Sequence, residues 1–272
     1  MPKAIRRKQR ATHEEFLAVL EEIESVVPRA VYVARRDSTA AWLRRRLKGQ
    51  RAAFAWSGGK DSIALQAVAE RAGITDCVFG MTKGLEYPAW LQWVTDHMPH
   101  GLTVLRNDWD MAWLADRQDM LFPRDSTVAG KWFSGIQHRA QRLYFRDREL
   151  DVLLLGRRWA DGNYTGPGQR QMVYTDARGI TRMSPIAAWS HELVLAALQY
   201  DWLDLGRELP PFYRWPRGFR CGTHAWPARQ WCDSIEHGWD EVWQIDSTIV
   251  ATAAKHGILG AAECVARHGG KP

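Results

Sequence analysis

Arg51-Ala52-Ala53-Phe54-Ala55-Trp56-Ser57-Gly58-Gly59-Lys60-Asp61-Ser62 is the stretch that decides the fold. Its first half is mostly apolar and closes on a large aromatic, the pattern of a short interior strand. Two consecutive glycines then permit a sharp turn and let a ligand approach the backbone with no Cβ in the way. From Asp61 onward, Ile63-Ala64-Leu65-Gln66-Ala67-Val68-Ala69 is good helix material that stops near Gly73. A strand, a glycine turn and a helix start together aim free N–H groups and the positive end of the helix dipole into one small volume. That volume suits a phosphate. Lys60 adds a point charge for phosphate oxygens, Ser57 and Ser62 add hydroxyl donors, and Asp61 offers a carboxylate for Mg²⁺ or for orienting a nucleotide. Lys60 is followed by Asp61, and no glycine stands five residues before it, so this is not the G-x-x-x-x-G-K-[ST] loop.

Ser57-Gly58-Gly59-Lys60-Asp61-Ser62 resembles the S-G-G-x-D-S loop of the PP-loop (N-type) ATP pyrophosphatases. Within that superfamily the chain is most similar to the phosphoadenosine phosphosulfate (PAPS) reductase group, in patches from about Phe54 to about Trp226. Thr82 to Pro88, with Gly84, is similar to that group's T-G-x-x-[FY]-P-E-T segment, although Ala89-Trp90 replaces the Glu-Thr. Gly156-Arg157-Arg158 resembles its G-x-R element, and Arg170 is similar to a later arginine. Ser184 to Val194 and Leu209 to Gly222 resemble two further segments, in the same order along the chain.

The resemblance implies a Rossmann-like α/β fold of the adenine nucleotide alpha hydrolase kind, with a mainly parallel sheet. It implies an adenine nucleotide, ATP or PAPS, held by Ser57, Gly58, Gly59, Lys60, Asp61, Ser62, Gly84, Gly156 and Arg158, with Mg²⁺ at Asp61. Lys60, Asp61 and Arg158 are then the candidate catalytic residues. The expected reaction is cleavage of ATP to AMP and pyrophosphate while a substrate is adenylated, in sulfur transfer or the modification of a nucleic-acid base. Two alternatives stand beside it. One is a thiol-dependent PAPS reductase served by thioredoxin and using Cys264 or Cys221, with Cys264 in Glu263-Cys264-Val265-Ala266-Arg267-His268 as the nearest counterpart of that group's E-C-G-[LI]-H tail. The same cysteine also reads as the inner face of a helix from Ala261 to Arg267 closed by Gly269-Gly270. The other alternative is a nucleotide- or nucleic-acid-binding module without turnover.

The chain's 272 residues allow one α/β domain with a good core and small additions. No apolar run is long enough to cross a membrane, and the basic start Met1 to Arg10 lacks the apolar core of a signal peptide, so a cytoplasmic protein without a membrane partner is expected. A net charge of +6 favours an anionic partner. Four cysteines without a C-x-x-C pair give no disulfide framework. Cys221, His224, Cys232 and His237, spaced C-x₂-H-x₇-C-x₄-H, are either ligands for Zn²⁺ or separate unligated residues. No iron–sulfur cluster is expected, because it would need all four cysteines, including Cys77 from a distant strand.

Three segments are expected: a basic helical extension over residues 1–50, the α/β domain over 51–226, and a helical region over 227–272. In the first, Thr12 and Glu15 form a capping-box pair, Ala30 to Val33 reads as a short strand, and Asp37 or Ser38 caps a second helix ending in Arg44, Arg45, Arg46 and Lys48. These basic residues, with Lys3, Arg6, Arg7, Lys8 and Arg10, offer a landing surface to a tRNA or DNA substrate. In the second segment, Asp76 to Thr82, Leu102 to Leu105 and Asp151 to Gly156 read as strands, and Met172 to Met183 as a hairpin. Asp108 to Leu121 and Phe133 to Phe145 read as helices, and Ser190 caps another. Phe122 to Lys131 reads as a loop whose Lys131 either contacts an anion or is solvated. Gly162 to Gly168 reads as an irregular flap.

Overall fold

The computed structural model describes residues 12–161, 171–215 and 232–269. Six strands form one sheet: β1 (Ala52–Ala55), β2 (Cys77–Met81), β3 (Leu102–Arg106), β4 (Val152–Leu154), β5 (Val173–Thr175) and β6 (Thr181–Met183). Their order is β3-β2-β1-β4-β6-β5. β1 runs parallel to β2, with Phe54 opposite Cys77, and parallel to β4, with Phe54 opposite Leu154. β6 is parallel to β4, and β5 closes the edge as the antiparallel arm of the expected hairpin. Ala53, Phe54, Cys77, Leu153 and Leu154 have no exposed surface. Strands covered on both faces read as unbroken apolar runs, which is why β1, β2 and β4 are legible in the sequence.

The strand order reverses between β1 and β4. Open α/β sheets bind ligands at such a switch point, outside the carboxyl ends of the strands. The loop after β1 is the glycine-rich stretch, and the one after β4 is Gly156-Arg157-Arg158.

The chain divides into two compact units. The first comprises Met1–Phe79, His97–Thr103 and Gln141–Pro210. Here α1 (His13–Glu21), α2 (Ile23–Val26) and α3 (Arg29–Arg46) pack on α9 (His191–Tyr200), and α3 and α9 also pack on α4 (Lys60–Arg71). Thr12 and Glu15 make the expected capping box, and Ser190 caps α9 by accepting from the Leu193 N–H. One expectation fails: Ala30 to Val33 is not a strand but lies at the start of α3, whose N-cap is Pro28 rather than Asp37 or Ser38. The reason is a helical stripe. Tyr32, Ala40 and Leu43 are buried at that spacing, while the Tyr32 hydroxyl and Arg36 both reach Asp201.

The second unit comprises Gly80–Asp96, Val104–Ala140 and Pro211–Pro272. Its α5 (Pro88–His97, with His97 in the first unit) follows the turn after β2. Asp108 to Leu121 is not one helix but a short α6 (Met111–Ala115) and a 3₁₀ turn at Gln118–Met120. Phe122 to Lys131 is not all loop. Asp125 accepts from the Thr127 and Val128 N–H groups and starts α7 (Ser126–Phe133), which buries Ala129 and Trp132. A π-turn at Ser134–His138 leads into α8 (Arg139–Asp147). Gly80 packs on it; a Cβ there would stand 2.6 Å from the Ile136 carbonyl oxygen. At the C-terminal end, α10 (Ile235–Ile245), α11 (Ser247–Lys255) and α12 (Ala261–Arg267) pack on one another.

Among the described residues no helix is long and apolar enough to cross a membrane. The basic arm Met1 to Arg10, the stretch Gly162 to Gly168, Arg170, Cys221 and His224 lie outside the described residues.

Candidate functional site

The glycine-rich loop is anchored before it turns. Trp56 is buried, its indole N–H donates to Gln66 Oε1 at 2.9 Å, and its ring meets Phe79 edge-on. Gly58 takes a φ of +67°, which any residue with a Cβ enters at a cost. Ser62 Oγ accepts from the Ser57 N–H at 3.2 Å and donates to the Gly59 carbonyl at 2.9 Å, closing the loop on itself. Gly59 is the N-cap of α4, and no side chain caps this helix. Its first N–H groups, with the dipole behind them, therefore keep their affinity for an anion.

Gly156 brings the end of β4 against this turn. A Cβ at Gly156 would stand 2.8 Å from the Asp61 carbonyl oxygen, so only glycine fits. Two residues on, Arg158 has no exposed surface. Its Nε donates to Asp61 Oδ1 at 2.5 Å, its Nη2 meets His191 Nδ1 at 3.1 Å, and its Nη1 lies 3.5 Å from the Trp189 carbonyl oxygen. Lys60 is 8% exposed and bonds Asp61 Oδ2 at 2.6 Å. The Lys60 ammonium also stands 5.7 Å from the centre of the Phe16 ring, which packs edge-on to His191. Loop, β4 end and α9 N-terminus thus converge on one carboxylate held between two cations.

Burial alone would raise the pKa of Asp61, but the charges of Arg158 and Lys60 outweigh it and hold the carboxyl down at about 2. His191 moves the other way for a cation. Burial, then the neighbouring Arg158 and Lys60, push it down to about 4, so at neutral pH it is an uncharged acceptor for the arginine. Asp61 does not fit Mg²⁺ in this arrangement, since each of its oxygens already faces a cation. A divalent ion here would have to displace Lys60 or Arg158.

Gly84 lies in the exposed turn after β2, in the second unit. In that turn Glu86 accepts from the Thr82 N–H at 2.5 Å and the Thr82 hydroxyl at 2.6 Å, and burial raises its carboxyl. Lys131 is exposed on α7, 3.9 Å from Asp119. Cys232 is buried, 4.0 Å from Glu241, and His237 is a partly exposed residue of α10 near Asp233. Cys264 has no exposed surface on α12. Burial, and then the Asp240 carboxylate 3.6 Å away, push its thiol up to about 11, the opposite of activation. Cys77 is likewise buried, its thiol pushed up to about 12 by burial and by Glu70 and Asp76.

Sequence reasoning missed the roles of His191 and Glu86. His191 follows directly on the cap Ser190. A polar side chain on an otherwise apolar helix is the signal that points to it.

No protein-family model and no characterised protein matches the sequence. Among solved structures the chain is similar to the phosphoadenylyl-sulfate (PAPS) reductase of Candida auris in a phosphate complex, with a TM-score of 0.43 and 13% identity over 76% of this chain and 96% of that one. It is similar to Candida glabrata FMN adenylyltransferase with FAD and inorganic pyrophosphate, at 0.45 and 14% over 75% and 69%. It is also similar to the U34-tRNA thiolase NcsA of Methanococcus maripaludis with its [4Fe-4S] cluster, at 0.38 and 13% over 87% and 78%.

Proposed function

We propose that the chain is a PP-loop enzyme that cleaves ATP between its α- and β-phosphates, passing the adenylyl group to an acceptor and releasing pyrophosphate. The observation that carries this reading is the Lys60–Asp61–Arg158 arrangement, with both cations buried, at the uncapped start of α4, where the sheet order reverses. Magnesium enters as part of the MgATP substrate. In the free chain Asp61 holds Lys60 in place; an incoming polyphosphate competes for that ammonium and draws it off the carboxylate. The loop N–H groups and the serine hydroxyls then take the remaining phosphate oxygens.

The acceptor attacks the α-phosphorus, one acceptor–phosphorus bond forms, and the bond to the bridging oxygen breaks; a second nucleophile, a sulfur or nitrogen donor, then bonds to the activated acceptor and AMP leaves. Lys60 neutralises the charge that grows on the departing pyrophosphate. Arg158 is a positioning residue in this scheme. Fully buried and bonded to Asp61 and His191, it orients the carboxylate rather than gripping an anion itself. Among the described residues, burial and neighbouring carboxylates push the thiols of Cys77 and Cys264 up, which weighs against Cys264 as the nucleophile of the reductase alternative.

The test is product analysis with α-labelled ATP, Mg²⁺ and total cellular tRNA or DNA. AMP with an equal amount of pyrophosphate is expected. ADP or unchanged ATP would overturn adenylation, and sulfite formed from PAPS with reduced thioredoxin would install the reductase in its place.

A further inference from the structure

One residue before Arg158, a second arginine turns away from the loop and starts a different contact chain. Arg157 Nη1 donates to the Tyr174 hydroxyl at 3.2 Å. Tyr174 lies directly across the hairpin from Arg182, so the two share one face of the β5–β6 pair. Arg182 continues the path: its Nη1 donates to Gln141 Oε1 at 2.7 Å and its Nε to Asp176 Oδ2 at 3.2 Å. Gln141 leads to Arg142 on α8, and Asp176 lies in the turn that carries the exposed Arg178. Arg146 stands one helical turn beyond Arg142, on the same face.

Asp176 is the acid that Arg182 bonds. Burial, and then the charges of Arg178 and Arg182, lower the affinity of Arg142 for its proton; burial and Arg182 do the same at Arg157. Guanidinium groups held together against their mutual repulsion make a standing site for an anion. The spacing along a hairpin and a helix asks for several anionic groups in a row rather than one. Arginine forks match phosphate oxygens in pairs, and an aromatic ring among them suits a base.

We propose that this face of the hairpin and α8 binds the phosphodiester backbone of a nucleic acid, with Arg142 and Arg178 on successive phosphates and Tyr174 against a base, while the buried Arg182 orders Asp176 and Gln141. The path begins next to Arg158, so the bound strand is fed toward the glycine-rich loop. Its use as an adenylation acceptor rests on the function proposed above, whereas the binding does not.

The experiment measures binding of fluorescent tRNA and of a single-stranded oligonucleotide to the full chain across a salt series. Wild type is compared with Arg142→Glu/Arg178→Glu and with Arg142→Lys/Arg178→Lys, two residues at the surface, after thermal melts show all three folded. The charge-reversed protein should bind at least ten-fold more weakly, with the slope of log affinity against log salt shallower by about 1.4, since each single-strand phosphate contact contributes about 0.7. The lysine variant should keep that slope. Equal binding by wild type and the charge-reversed protein, or a loss with no change in slope, would overturn the proposal. Displacement of the oligonucleotide by polyglutamate at matched charge would reassign the surface to an acidic protein. If Lys60→Ala binds tRNA normally while ATP is never cleaved even by wild type, the adenylation reading fails and the nucleic-acid surface stands.

Discussion

Two aspartates in this molecule gather the same kinds of partner in different surroundings. Asp61 receives Lys60 and Arg158, with His191 behind the arginine. Asp240 receives Arg267 at 2.7 Å and the thiol of Cys264 at 3.6 Å, with His268 Nε2 3.1 Å away. By residue type the second cluster looks the more reactive, with a cysteine, a histidine and an acid within reach of one another. The surroundings reverse that ranking. Arg267 is 40% and Asp240 38% exposed, so water screens their attraction, and such pairs contribute about 0–1 kcal/mol. The thiol is sealed in the helix packing and faces a negative charge. Around Asp61 the cations are buried, the backbone turns through a left-handed glycine, and a helix start has no side-chain cap. Burial and backbone direction, more than the list of side chains, separate a helix-packing ion pair from an anion site.

The sharpest way to break this comparison is to delete the cation of one cluster and the acid of the other. Lys60→Ala should lower ATP cleavage by at least about 100-fold, since removing one preorganised group that meets developing charge costs on the order of 10²–10³ in rate. Asp240→Ala should change the same rate less than about two-fold, because it removes only a screened surface pair. Equal losses in the two variants would erase the distinction.

Stability gives the next largest contrast. Arg158→Ala strands the half-buried Asp61 carboxylate and empties a fully buried position, so a loss of about 3–5 kcal/mol is expected from urea unfolding. Arg267→Ala should cost about 0–1 kcal/mol in the same measurement. Arg158→Lys should not restore the loss, because an ammonium cannot reproduce the fork that joins Asp61 and His191.

How much of this was written legibly in the chain depends on distance along it. β1, β2 and β4 are runs of apolar residues, and the caps at Thr12 and Ser190 are local chemistry, so all five read directly. The first turn of α3 misleads because Val31, Tyr32 and Val33 favour strands by themselves. What overrides them is burial along a helical stripe and two bonds to Asp201, far along the sequence. The site divides the same way. Lys60 beside Asp61 is visible in the glycine-rich motif, whereas Arg158 arrives 97 residues later and His191 33 residues after that. A motif can nominate Arg158, but whether it grips an anion or orients a carboxylate depends on burial that no local pattern carries.

A third contrast uses pH. The unfolded His191 takes a proton near 6.5 and the folded one only at about 4, so the unfolded state binds more protons across that interval. Its contribution is complete above pH 6.5 and is lost as the pH falls toward 4, by about 3 kcal/mol at most. Asp61, ordinarily near 3.8 and held at about 2, adds a further loss below that range. His191→Gln should flatten the slope of stability against pH between 6.5 and 4. The smallest effect is expected at Cys264. With its thiol at about 11, Cys264→Ser should leave ATP cleavage intact, and alkylation of that cysteine in the native chain at pH 8 should be slow.

The central claim is that chemistry belongs to the Lys60–Asp61–Arg158 cluster and not to the Asp240–Cys264–His268 cluster. The direct measurement is pyrophosphate release from MgATP with total tRNA present, by wild type, Lys60→Ala and Cys264→Ser side by side. Pyrophosphate with matching AMP from wild type and Cys264→Ser, and none from Lys60→Ala, is the predicted result. Release that survives Lys60→Ala and disappears in Cys264→Ser would contradict the account and move the active site to α12.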